Sequence, residues 1–334
     1  MAARGAYGGG ALTSLGVLGY VVVRAEAALA RRSIGEPTEI PPDPTGVYGR
    51  YLGPSLRLVL LGDSSATGLG CDTPAQTPGA LLAGGVAREL GRRVRLDVYA
   101  VVGGQSADLD TQIARALTHG PVDLAVIMVG ANDVTHTVLP GDAVRHLGRA
   151  VETLRDSGAK VVVGTCPDLG TVKPLLQPLR TVAAVWSRKM AAAQAVAVAE
   201  NDGVAVTLGS LLAKEFSEQP HLWSHDRFHP SAQGYARVAD VILPNLLGLL
   251  GVELPVVSSV QDANLAATMA SREPGLVVET IEGAEGVAAV GPGRLVRLVR
   301  RLPLVGRGAP DERSDDDSSE GMDEPADKEA SAPR

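Results

Sequence analysis

The chain has 334 residues, 45% hydrophobic and 21% charged, enough for one globular domain with a full core and further segments. That apolar content excludes disorder of the whole chain, and a single charge-free run of spanning length excludes a polytopic membrane protein. The net charge of −7 resides in a tail, residues 310–334 with ten acids and three bases, and the neutral remainder offers no polyphosphate-binding surface.

The charge-free run spans Gly5 to Val23, preceded by Arg4 and followed by Arg24, Arg31 and Arg32. Its six glycines weaken it as a helix. It reads either as a signal peptide, with small-residue cleavage patterns at Ala25-Glu26-Ala27 or Ala28-Leu29-Ala30, or as a retained anchor. Residues 1–33 are therefore expected to export the protein or hold it at the cell envelope, with a cytoplasmic location as the alternative. Residues 34–52, with Pro37, Pro41, Pro42 and Pro44, read as a linker.

From residue 53 to 252 the chain alternates between two periods. Leu56–Leu61 is a short apolar run ending in Gly-Asp, the pattern of a buried parallel strand. Pro78–Leu90 reads as a helix and Val94–Val102 as a strand. Ala107–Leu117 is helical and Leu124–Val129 is another buried strand. Asp142–Asp156 carries Val144, Leu147, Val151 and Leu154 at helical spacing. Val161–Val163 is a strand, Leu179–Glu200 a long Ala-rich helix and Val204–Val206 a fifth strand. A closing helix runs from Ala232 to about Leu250. Alternation of this kind predicts an α/β/α three-layer sandwich on a five-stranded parallel sheet.

Residues 253–334 lose the pattern and are expected to be a largely disordered extension. Within it Arg294–Arg307 holds five arginines and no acid. It reads as a solvated segment pairing with the acidic tail, or as a piece lying on an anionic membrane surface. Residues 5–23 and 294–307 are the segments expected to meet a membrane.

Ligands of such sheets bind where strands end. The exits read Gly62-Asp63-Ser64-Ser65, Gly103-Gly104-Gln105-Ser106, Gly130-Ala131-Asn132-Asp133 and, after the fifth strand, Asp226-Arg227-Phe228-His229-Pro230. Turns alone do not require Ser, Asn, Asp and His together. Asp226 and His229 are three apart, which on a helical turn places both side chains on one face. The carboxylate then fixes the imidazole tautomer, and the imidazole serves Ser64 as base. Attack on a carbonyl makes an oxyanion, for which the Ser64 and Gly104 N–H groups and the Asn132 amide are the natural donors. Asp63 and Asp133 read as carboxylates that stabilise their turns.

These four blocks, over about residues 56–250, resemble the SGNH (GDSL-type) serine hydrolases, with Ser65 where the eponymous motif has leucine. The resemblance implies a flavodoxin-like sheet of order 2-1-3-4-5. It also implies an esterase with nucleophile Ser64, triad partners Asp226 and His229, and oxyanion donors Ser64, Gly104 and Asn132. No cofactor and no metal is expected. His221, His225 and His229 have zinc-like spacing but lack the glutamate that usually accompanies it. The glycine-rich stretch Gly62–Gly70 lacks the phosphate-cradle signature. Cys71 and Cys166 are expected to be free thiols.

The expected reaction is hydrolysis of a small or short-acyl ester through an acyl-enzyme, with Pro167–Pro178 as an apolar wall. Aromatics at 3% argue against a sugar-stacking cleft and against a nucleic-acid partner. The alternatives are an acyltransferase or deacetylase acting on envelope sugar or lipid, or an inactive envelope-associated binding protein.

Overall fold

The computed structural model describes Glu26 and residues 40–252. The expected leader or anchor and the expected C-terminal extension, including residues 5–23 and 294–307, lie outside the described residues. No helix among the described residues is long and apolar enough to cross a membrane.

Six strands form one sheet: β1 (Gly46–Tyr48), β2 (Leu56–Gly62), β3 (Val94–Val98), β4 (Leu124–Met128), β5 (Lys160–Gly164) and β6 (Val204–Val206). Their order is β1-β3-β2-β4-β5-β6. The five strands from β2 to β6 are parallel in the expected order, and β1 adds an antiparallel edge on β3. This sixth strand corrects the reading of residues 34–52 as linker throughout. It is three residues long, follows three prolines and leaves Val47 exposed, so it has no alternation to reveal it.

Eight helices are described: α1 (Ser64–Thr67), α2 (Pro78–Leu90), α3 (Leu109–Thr118), α4 (Ala131–Thr135), α5 (Pro140–Asp156), α6 (Leu179–Glu200), α7 (Leu208–Glu218) and α8 (Ala232–Leu249). On one face of the sheet Leu58, Leu60, Val126 and Met128 pack with Leu82 and Val86 of α2 and Ile242 and Leu246 of α8. On the other, Val59, Leu61, Ile127 and Val163 pack with Ile113 of α3, Leu147 and Leu154 of α5 and Val198 of α6. Every residue of β2 is buried, which is why its sequence is a continuous apolar run. Each such leucine contributes about 1.5–3 kcal/mol of burial.

Arg57 is the exception in that run, and it sits at the N-terminal end of β2, away from the strand exits. Its Nε donates to Asp97 Oδ2 at 2.7 Å, Nη1 to Gly120 O at 2.7 Å and Nη2 to Tyr99 Oη at 2.9 Å. The buried guanidinium is thus paired and hydrogen-bonded on all sides, the condition under which a charge can be buried.

Candidate active site

The chain must turn sharply between β2 and α1 to present Ser64. Gly62 has φ 126°, and a Cβ there would stand 1.8 Å from Met128 O, so only glycine fits. Asp63 caps α1, its Oδ1 accepting from Ser65 N–H at 2.8 Å. Ser64 opens the helix, so its N–H has no intrahelical partner and is available at the sheet edge.

Facing it, Ser64 Oγ and His229 Nε2 are 2.9 Å apart, and His229 Nδ1 is 2.5 Å from Asp226 Oδ2. The imidazole and the serine are both buried. The structure therefore brings together three side chains from exits 165 residues apart. The expectation of a helical turn beneath Asp226 and His229 is corrected. The segment is an irregular turn closed by the bridge between Trp223 and Pro230, with Arg227 left-handed at φ 55°. Proline directly after His229 disfavours helical backbone there. The spacing works because Asp226 Oδ1 accepts from Phe228 N–H at 2.8 Å and His229 N–H at 2.9 Å, folding the turn around the carboxylate. Burial raises the Asp226 pKa, but hydrogen bonds from His229, Ser224 and the two amides outweigh it and hold the group well below the usual carboxylate range.

The third side of the site comes from β3 and β4. Asn132 Nδ2 donates to Gly104 O at 3.0 Å, which leaves its second amide hydrogen unspent in that bond. The Gly104 N–H, however, donates to Val101 O at 2.9 Å. In this arrangement Gly104 enters through its carbonyl, which orients the Asn132 amide. Its missing Cβ is required because that atom would lie 2.9 Å from both Gly62 O and Val101 O. Asp133 accepts from Ser106 N–H at 3.1 Å and Ser106 Oγ at 2.8 Å, so it joins two strand exits rather than stabilising its own turn alone.

Two residues not singled out in the sequence stand behind these loops. Gln112 of α3 accepts from Gly62 N–H at 2.7 Å and donates to Gly62 O at 2.9 Å. Gln194 of α6 accepts from Cys166 N–H at 2.7 Å and donates to Val129 O at 3.1 Å. Both are buried. A signal existed for Gln112: it lies on the apolar stripe of α3 with Leu109, Ile113 and Ala116, where a polar residue needs a partner.

Asp63 is buried beneath the serine, and desolvation pushes its pKa up to about 6 against the opposing hydrogen bonds from Ser65. Of the remaining histidines, His119, His136, His221 and His225 are exposed and His146 is half-buried. His136 Nδ1 lies 2.9 Å from Asn132 O. Cys71 and Cys166 are both free thiols.

A pocket opens beside Ser64 and His229 and runs past Val129 and Thr165 to α7. Its wall is mostly apolar, with Leu169, Val172, Leu208, Leu212, Phe216 and Trp223 prominent. Of the expected wall Pro167–Pro178, the stretch from Pro167 to Val172 lines the pocket, whereas Leu175 is buried in a neighbouring cluster and Leu176 is exposed. α7, not anticipated from the sequence, supplies the opposite side.

A model of the GDSL-like lipase/acylhydrolase family matches residues 60–237. The GDSL-like esterase Rv1075c of Mycobacterium tuberculosis is 41% identical over 263 residues, 74% of this chain and 83% of its own. The solved structure of TesA is 22% identical, covering 58% of this chain and 99% of its own with a TM-score of 0.49. LAE5, an α/β hydrolase enzyme from the metagenome of Lake Arreo, is 20% identical, covering 60% and 98% with a TM-score of 0.47.

Proposed function

Since the chain belongs to the GDSL-like lipase/acylhydrolase family and is an ester hydrolase, we propose that it works through an acyl-enzyme on Ser64. The observation that carries this reading is the continuous hydrogen-bonded line from Ser64 Oγ through His229 to Asp226, at the side of an apolar pocket.

Ser64 Oγ attacks the ester carbonyl carbon while His229 Nε2 takes its proton. Asp226 keeps the proton of Nδ1 in place and stabilises the imidazolium. Charge developing on the carbonyl oxygen meets the Ser64 N–H and the free hydrogen of the Asn132 amide, held by Gly104 O. The tetrahedral adduct collapses, the C–O bond to the alcohol breaks, and His229 returns the proton to the departing alkoxide. Water then adds to the acyl-serine with His229 again as base. Collapse releases the carboxylic acid and restores the Ser64 hydroxyl. The chain's own residues supply every proton transfer.

The acyl group is read as an apolar chain in the pocket. Its lining runs from the exit of β2 to that of β5, two strand positions or about 10 Å. That reach extends the expectation of a short acyl chain to one of medium length. In Ser64→Ala, hydrolysis of p-nitrophenyl esters should fall by at least about 10³-fold with an unchanged unfolding midpoint. Turnover within about tenfold of the unmodified enzyme would overturn the mechanism.

A further inference from the structure

The first half of α6 turns apolar side chains outward. Leu176, on the turn leading into the helix, is 56% exposed, and Val182 and Val185 are 40% and 47% exposed. Val182 and Val185 are three apart and share one side of the helix with Thr181, Arg188 and Lys189. The inner side of the same stretch is core: Leu175, Ala183 and Met190 are buried, with Leu179 and Trp186 packed against them.

The charge of this surface has one sign. From Leu169 to Ala199 the chain holds Lys173, Arg180, Arg188 and Lys189 and no acid. Arg188 is answered by Asp168 from just outside the stretch. Arg180 donates to the Lys173 and Leu175 carbonyls rather than to a carboxylate, and Lys173 and Lys189 are exposed. Outward apolar side chains rimmed by basic ones make a surface suited to anionic lipid.

Two further observations point to what covers it. Glu26 Oε2 accepts from Leu179 N–H at 2.8 Å, at the first residue of α6. The charge-free run Gly5 to Val23 ends three residues before Glu26, so covalent reach alone keeps Val23 within about 11 Å of Glu26. Thr171 and Val172, directly before Lys173, line the pocket beside Ser64. The end of the apolar run, the outward valines and one wall of the pocket thus adjoin. We propose that this face, from Leu176 to Lys189, rests on an anionic lipid bilayer, which presents ester substrates to the pocket. The delivery of substrate rests on the acyl-enzyme reading; the docking does not.

The test uses the full chain with Val185→Cys carrying an environment-sensitive fluorophore. Arg88→Cys, exposed on α2 across the sheet, is the control, and the unsubstituted chain gives the background from Cys71 and Cys166. Vesicles of phosphatidylglycerol and phosphatidylcholine should raise emission at position 185 by about twofold or more and leave position 88 unchanged. Phosphatidylcholine alone, or about 0.5 M salt, should remove most of that rise. Val182→Ser with Val185→Ser should hydrolyse dissolved p-nitrophenyl acetate within about twofold of the unmodified chain. The same variant should cleave p-nitrophenyl octanoate held in those vesicles about tenfold more slowly. Failure to bind the anionic vesicles, or binding with no response at position 185, overturns the docking. So does a response that needs no lipid and grows with chain concentration, which marks a contact between copies. An equal loss on both esters, or none on either, overturns the delivery. Ser64→Ala should keep the response at position 185 while losing turnover. Turnover that survives it contradicts the acyl-enzyme reading and leaves the docking result standing.

Discussion

Gln112 grips Gly62 at both ends of one side-chain amide, accepting from its N–H at 2.7 Å and donating to its carbonyl at 2.9 Å. Gly62 is two residues before Ser64, so a helix on one face of the sheet fixes the turn that presents the hydroxyl. Gly62 O also accepts from Val101 N–H, which ties the same peptide to the β3 exit. Gln112→Leu leaves the Gly62 N–H buried without a partner, a cost of about 1–3 kcal/mol. Urea unfolding should report that loss, and kcat should fall by about tenfold or more as the serine loses its register. A variant that kept full kcat would show that the turn is fixed by other contacts.

The two carboxylates of the site should respond to pH with opposite sign. Asp63 is raised to about 6 by burial, above its unfolded value of 3.8, so its contribution to stability is greatest below that unfolded value. It is lost as pH rises through about 6, by about 3 kcal/mol in all. Asp63→Asn should therefore gain stability relative to the unmodified chain between pH 4 and pH 8. Asp226 is depressed, so its contribution is fully present above 3.8 and is lost as pH falls through its lower folded value. Asp226→Asn should be destabilised at neutral pH, and the difference should shrink below about pH 4. Unfolding free energies of both variants across this range check the signs.

Asp226→Asn should lower kcat by about 10²–10⁴-fold, because an amide nitrogen facing His229 Nδ1 favours the wrong tautomer. His229→Ala should cost more, since it removes the base itself. Asp226 also holds the Phe228 and His229 amides, so its loss should loosen the whole turn. Kinetics of the two variants on one ester decide the ranking, and equal losses would mean that Asp226 is as indispensable as the base.

Much of this architecture was legible in the chain. β2 and β4 are buried along their whole length, and two-sided burial writes itself as short apolar runs that stop at Gly-Asp or Gly-Ala. β1 was not legible, because an exposed three-residue edge strand needs no pattern of its own. α7 carries Leu208, Leu212 and Phe216 at helical spacing, so the sequence does hold a signal for it. The Asp226–His229 spacing does not reveal its backbone, since a carboxylate folding its own turn yields the same offset as a helix. Gly104 carried the block-two signature, but only coordinates show its N–H turned to Val101. Gln112 and Gln194 belong to no motif, because what they recognise is backbone brought near by the fold.

Ala213, on α7, lies in the pocket wall. Ala213→Leu should lower kcat/KM for octanoate by about tenfold while leaving acetate within about twofold, since only the longer chain reaches the added methyl groups. A matched series of acyl lengths measures this, and a uniform loss across the series would place the acyl chain elsewhere.

Away from the site, Asp97→Ala leaves the Arg57 guanidinium buried beside an empty partner position. Stability should drop by about 3–5 kcal/mol. Folded protein should keep its esterase kcat, which separates this network from catalysis.

The most direct measurement is intact mass and peptide mapping after exposure to a fluorophosphonate, which traps only a serine activated for attack. One adduct per chain, on the peptide bearing Ser64 and absent in His229→Ala, is the expected result. An enzyme that hydrolyses esters yet takes the adduct elsewhere, or takes none, would contradict it.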